Sequence, residues 1–111
     1  MAERAAAGNA AALPASAALM MATVCGARAQ GRAAECGMIK EGMDADLVFF
    51  DTKNVTRIDA DSLHSKAGHT AYAGMEAIFP DTVIIRGNIQ IQDGEYCGGA
   101  IGVDTSEHPR D

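Results

Sequence analysis

Between residues 15 and 30, the positions Leu19, Met20, Thr23, Val24 and Ala27 recur at three-to-four spacing. That spacing sets them on one face of an amphipathic helix. Pro14 suits the first turn, where a missing N–H costs nothing. Gly31 is a natural stop. Gly26 inside the helix costs up to about 1 kcal/mol relative to alanine, and close packing against a neighbouring backbone would account for it. Residues 1–13 are alanine-rich but carry no apolar stripe, so a frayed or loose helix is expected there.

Beyond the helix the period changes. Cys36 to Asp51 reads as two short strands joined by a charged turn at Gly42 and Asp44, residues suited to positive φ and to local hydrogen bonding. Leu47–Phe50 is a continuous apolar run bounded by acids, which predicts a strand buried on both faces. Asn54–Ile58 alternates loosely and predicts a short strand. Asp59 to Ser62 carries helix-capping residues. Residues 62–75 have neither period and read as an ordered loop or a single helical turn. Pro80 and Asp81 mark a boundary. Thr82–Arg86 and Ile89–Gln92 are β-branched strands, the second strictly alternating. Gly87-Asn88 predicts the two-residue turn between them, and Asp93-Gly94 ends the second strand. From Cys97 on, an irregular tail is expected.

Composition narrows the class. The chain has 111 residues, 48% hydrophobic and 22% charged, which fits one small globular domain. Its net charge is −6, with no basic patch, so nucleic acid is an unexpected partner. No run of about 18 strongly apolar residues occurs, so no membrane span is expected. The alanine-rich start has Glu3, Gly8, Asn9 and Pro14 where a signal peptide needs a leucine-type core. Three cysteines, Cys25, Cys36 and Cys97, lack C-x-x-C spacing. Reduced thiols and a cytoplasmic location follow as expectations. Cys25, in the helical pattern, reads as a small buried hydrophobe.

The candidate chemistry is confined to one stretch. His64, Lys66 and His69 stand close together and could line a substrate mouth. Two histidines five residues apart do not share a helical face, and no third metal ligand stands at a recognisable spacing. His64-Ser65 lacks the oriented base and oxyanion hole of a nucleophilic triad. Turn glycines replace any phosphate-binding G-x-x-x-x-G-K-[ST] loop.

Three blocks resemble a known family. Gly37, Ile39, Gly42, Asp44, Ala45, Asp46, Leu47, Val48 and Asp51 fit a G-x-I-x-x-G-x-D-A-D-L-V-x-x-D pattern. It is similar to the segment where amidohydrolases leave the catalytic barrel for a small β-sandwich. Met21 to Gly31 resembles the last barrel helix of that superfamily. Leu63-His64-Ser65-Lys66 with His69 to Met75 is similar to the L-H-S-K…T-P-[FY]-x-G-M region of the allantoinase, dihydroorotase and hydantoinase group, with Ala71 in place of the usual proline. Val83 to Glu95 resembles that group's closing hairpin.

The resemblance implies an α+β chain, mainly β with an N-terminal helix. It would form part of the composite β-sandwich, without the barrel. The expected division is a flexible 1–13, the helix 14–31, a sandwich portion 32–97 and a tail 98–111. Family catalysis rests on zinc or a similar divalent metal held by an early His-x-His pair and further barrel ligands. This sequence has no His-x-His, and its third histidine is His108. No catalytic residue, metal ligand or cofactor is therefore carried over. His64, Lys66 and His69 stay as substrate-loop candidates. The implied function is an accessory domain of a hydrolase of cyclic amides or other non-peptide C–N bonds, inactive alone. The alternatives are a free-standing oligomeric module, or part of an aminohydrolase of the same superfamily. Expected partners are further copies of the chain or a separate barrel chain.

Overall fold

A computed structural model describes residues 13–104. Contacts divide the chain into two compact units, Met1–Leu47 and Val48–Asp111.

The first unit is built on one helical run. It comprises α1 (Ala15–Met20), a π-helical turn (Met21–Cys25) and α2 (Gly26–Ala29). Pro14 is the N-cap, and its carbonyl accepts from the Ala18 N–H at 3.1 Å. The Thr23 hydroxyl donates back to the Leu19 carbonyl at 2.6 Å, a competing bond of the kind that distorts a regular ladder. The run ends as expected at Gly31, with φ 72°. There the Gly31 and Arg32 N–H groups bond the Arg28 and Ala27 carbonyls at 3.0 and 2.8 Å, a Schellman closure that satisfies two terminal carbonyls.

Only part of the expected apolar face is covered. Val24 and Ala27 are buried, while Leu19, Met20 and Met21 are exposed. Cys25 is exposed as well, which corrects its reading as a buried hydrophobe; it lies beside the covered stripe. Gly26 is not the close-packing glycine either. A Cβ there would meet only the Met21 carbonyl at an ordinary 3.6 Å. The close approach belongs to Gly37, at φ 95°, which packs against Thr23, Val24 and Ala27.

Residues 36–38 form bends and 39–40 are irregular, so no strand forms there. The backbone flanking them is bonded locally. Glu35 and Cys36 N–H groups bond Arg32 O, and Asp44 N–H bonds Glu35 O at 2.8 Å. Gly42 does take a positive φ, 87°. The Arg32 guanidinium donates to Glu35 at 2.9 Å. That hydrogen bond is the main reason its pKa is held above the ordinary value; partial burial opposes it, and the Glu35 charge adds to it.

The strands form two sheets. The larger has the order β1-β4-β5-β6, using β1 (Leu47–Phe49), β4 (Thr82–Ile85), β5 (Asn88–Gln92) and β6 (Glu95–Tyr96). The smaller pairs β2 (Thr56–Arg57) with β3 (Glu76–Ala77), antiparallel. Among the described residues the larger sheet does not close, since β1 and β6 are its edges. β1 is not buried on both faces as its apolar run suggests. Val48 and Phe49, and Phe50 just after the strand, are each 51% exposed.

The β4–β5 turn is Arg86-Gly87, not Gly87-Asn88. Ile85 pairs with Asn88, and Arg86 and Gly87 have φ of 45° and 79°. Two successive positive φ values make the turn whose twist suits a hairpin. Asp93-Gly94, with φ 52° and 78°, does the same between β5 and β6. Val83 pairs with Ile91 and Ile84 with Ile89. Gln90 is therefore an extra residue, a β-bulge. The bulge upsets the alternation read from the sequence: Gln90 is buried at 8% exposure while Ile89 is exposed.

Candidate functional site

The candidate residues lie in a loop clamped at its base. β2 and β3 pair through Thr56–Ala77 and Arg57–Glu76. The ladder is extended by Ile58 N–H to Met75 O at 2.9 Å and Gly74 N–H to Ile58 O at 2.8 Å. The Arg57 guanidinium donates to the Gly74 carbonyl at 2.9 Å. These bonds bring residues 58 and 74 together and leave 59–73 as a closed excursion.

Asp59 starts the excursion. Its carboxylate accepts from the Asp61 N–H at 3.1 Å and caps a 3-10 turn, Ala60–Ser62, as the capping residues imply. The Ser62 hydroxyl donates to Asp59 O at 2.8 Å. Further on, Ala67 N–H donates to Ser65 Oγ at 3.2 Å, and Tyr72 N–H to Thr70 Oγ1 at 3.2 Å. Gly68 and Gly74 take positive φ. Short polar residues thus hold the loop by local side-chain bonds, rather than by an apolar plug.

His64, Lys66 and His69 all fall within this loop and are exposed. The ring Nδ1 of His69 lies 3.0 Å from the Ala67 carbonyl, a bond within the loop itself. Among the described residues, no three His, Cys, Asp or Glu groups come together as a metal site. His108 lies outside the described residues. The donors present therefore do not fit a divalent centre, which needs three or four converging ligands. What the loop offers is an exposed display of one ammonium, two imidazoles and the ring of Tyr72. That can bind or line a polar ligand. Sequence reasoning missed β3, the far side of the clamp: Glu76-Ala77 has no β-branched residue and is visible only through its pairing.

Residues 1–90 match the Amidohydrolase family. The chain belongs to the amidohydrolase family. Relatives include the dihydroorotase of Methanosarcina acetivorans, 47% identical over 53 residues, covering 48% of this chain and 11% of that protein. The dihydroorotase of Thermoplasma volcanium is 38% identical over 66 residues, covering 60% of this chain and 16% of that protein. A solved D-hydantoinase (dihydropyrimidinase) from Thermus sp. superposes with a TM-score of 0.67 at 28% identity. It covers 69% of this chain and 17% of that chain. This amidohydrolase chain is thus related to the cyclic amidohydrolase group, as its motifs imply, and spans about a tenth to a sixth of the length of these relatives. Its helix and antiparallel sheets resemble a portion of the hydantoinase structure. No helix among the described residues is long and apolar enough to cross a membrane.

Proposed function

We propose that this chain is the C-terminal accessory part of a metal-dependent amidohydrolase that hydrolyses cyclic amides or other non-peptide C–N bonds, and that it is inactive alone. One observation supports the reading most. Apolar side chains on several elements are left uncovered by the chain itself, among them Leu19, Met20 and Met21 on the helix and Val48, Phe49 and Phe50 at β1. Surface of that kind suits contact with further protein. In this reading the strands belong to a composite β-sandwich. The metal ligands stand on a barrel outside these 111 residues. His64, Lys66 and His69 contribute, at most, to the mouth of its substrate site. The uncovered faces meet either a separate barrel chain or further copies of this chain, in the cytoplasm.

The test is an assay of the chain alone and of the chain supplied with a metal-loaded barrel from its own relatives. The expected result is no turnover alone, and ring opening of a hydantoin-like or dihydroorotate-like substrate only in the combined sample. Ammonia release from an aminopurine would move the assignment to the aminohydrolases of the superfamily. Stoichiometric metal and turnover in the isolated chain would overturn the accessory reading.

A further inference from the structure

We propose that Cys97–Ile101 is a strap that closes the open edge of β5, and that Arg86 is the positioning residue that latches it. β6 covers only the end of β5, at Ile91 and Gln92. From Gln90 back to Asn88, no further strand of the larger sheet pairs on that side among the described residues. Two anchors bring the tail there. The N–H groups of Cys97 and Gly98 both donate to the Gln90 carbonyl, at 3.0 and 3.2 Å. The guanidinium of Arg86, at the turn that precedes β5, donates to the carbonyl of Ile101. These anchors bracket residues 99 and 100, so the tail is held at one end beside Gln90 and at the other by the turn that precedes β5.

The identity of residue 86 is the second line of argument. It holds φ 45° at a turn position that favours Asn, Asp or Gly. The equivalent position of the next hairpin is Asp93, which suits it. An arginine there is locally disfavoured. Retaining strain at a position calls for a compensating contact, and the bond to Ile101 supplies one. With the strap closed, the β5 edge is unavailable for strand pairing. With it open, the backbone beside the β-branched Ile89 is a template for a second copy of this chain. This device is independent of the accessory reading above.

Arg86→Asn and Arg86→Gly separate latch from turn, since both residues suit positive φ and keep the hairpin. Amide exchange and sedimentation across a concentration series are compared with the unaltered chain. Loss of a charged hydrogen bond is expected to raise exchange at the Cys97 and Gly98 amides by roughly ten- to a hundredfold. Amides of the β4–β5 hairpin should stay protected, and self-association should shift to lower concentration. Arg86→Lys, which keeps a cationic donor, should restore part of the protection. Unchanged exchange at Cys97 and Gly98 in both variants would overturn the latch. Faster exchange with unchanged association would overturn the shielding of the edge.

Discussion

Gly98 lies directly against the side-chain amide of Gln90. A Cβ built at position 98 would fall 2.3 Å from Gln90 Oε1 and 2.5 Å from its Cδ. The two residues are also joined through the backbone, Gly98 N–H to Gln90 O. A buried polar side chain on a strand is thus accommodated by the absence of a side chain across from it. The β-bulge turns Gln90 inward, and the missing Cβ leaves the room.

Gly98→Ala is therefore expected to destabilise the second unit by about 1–3 kcal/mol, the usual cost of overpacking. The atom struck is the far end of a flexible chain, but Gln90 is buried and has little freedom to withdraw. In a double-mutant cycle with Gln90→Ala, the two losses should fall short of additive by roughly 0.5 kcal/mol or more. Denaturant melts measure both. Additive losses would mean that the contact is not what restricts position 98.

How much of this was legible can be argued from the same strands. Helix termination at Gly31, the positive φ of Gly42 and the existence of β4 and β5 followed from local chemistry. The inward Gln90 did not, because a bulge is decided by pairing, and alternation alone puts both glutamines on one face. The Arg86-Gly87 turn was missed by one residue because Gly87-Asn88 is also acceptable turn chemistry; only the Ile85–Asn88 pairing decides between them. The burial expected for Leu47–Phe50 assumed neighbours that the described residues do not supply. His64, Lys66 and His69 were placed in one loop by sequence, but the clamp that closes the loop depends on pairing Ile58, at the end of a predicted strand, with Gly74 and Met75, which carry no strand signal.

Gly26→Ala should stabilise the helix by up to about 1 kcal/mol, the propensity difference for an unobstructed position. Its φ is −61°, ordinary for any residue, and an added Cβ makes only an ordinary contact with Met21 O. Circular dichroism through a thermal melt is the check. A loss of helix would show that the π-helical turn from Met21 to Cys25 needs glycine at its end.

The exposed loop predicts weak and non-specific metal uptake by the isolated chain. With His69 bonded inside its own loop and no third donor gathered nearby among the described residues, zinc should bind below one equivalent after dialysis. Paired His64→Ala and His69→Ala substitutions should leave the melting temperature unchanged with zinc present. Elemental analysis and melts with and without zinc decide it. One tightly held ion lost on replacing either histidine would make the loop a metal site.

Asp59→Ala removes the acceptor for Asp61 N–H at the start of the same loop. Loss of such a cap costs about 0.5–2 kcal/mol. Because β2 and β3 clamp the loop at its base, that cost should appear locally, as faster exchange at Asp61 and earlier proteolysis within 60–73, while the larger sheet keeps its protection. Uniformly faster exchange across β4 and β5 would show that the loop and the larger sheet unfold together.

Gly37→Ala should be the most damaging single-methyl change in the first unit. An added Cβ would sit 2.8 Å from Ala27 Cβ and 3.2 Å from both Thr23 O and Val24 Cα. None of these three atoms can rotate away: Thr23 O and Val24 Cα are helix backbone, and Ala27 Cβ is fixed to its own Cα. The positive φ adds about 1–2 kcal/mol to an overpacking cost of about 1–3 kcal/mol, against the small total stability of a chain this size. Combining it with Ala27→Gly removes the shortest contact only. The φ penalty and the contacts with Thr23 and Val24 remain, and glycine in the helix costs a further ~1 kcal/mol. The double variant should therefore remain well below the unaltered chain in a denaturant melt, with fast exchange at the Asp44 amide that bonds Glu35. Full recovery in the double variant would mean that the Ala27 methyl alone sets the requirement for glycine at position 37.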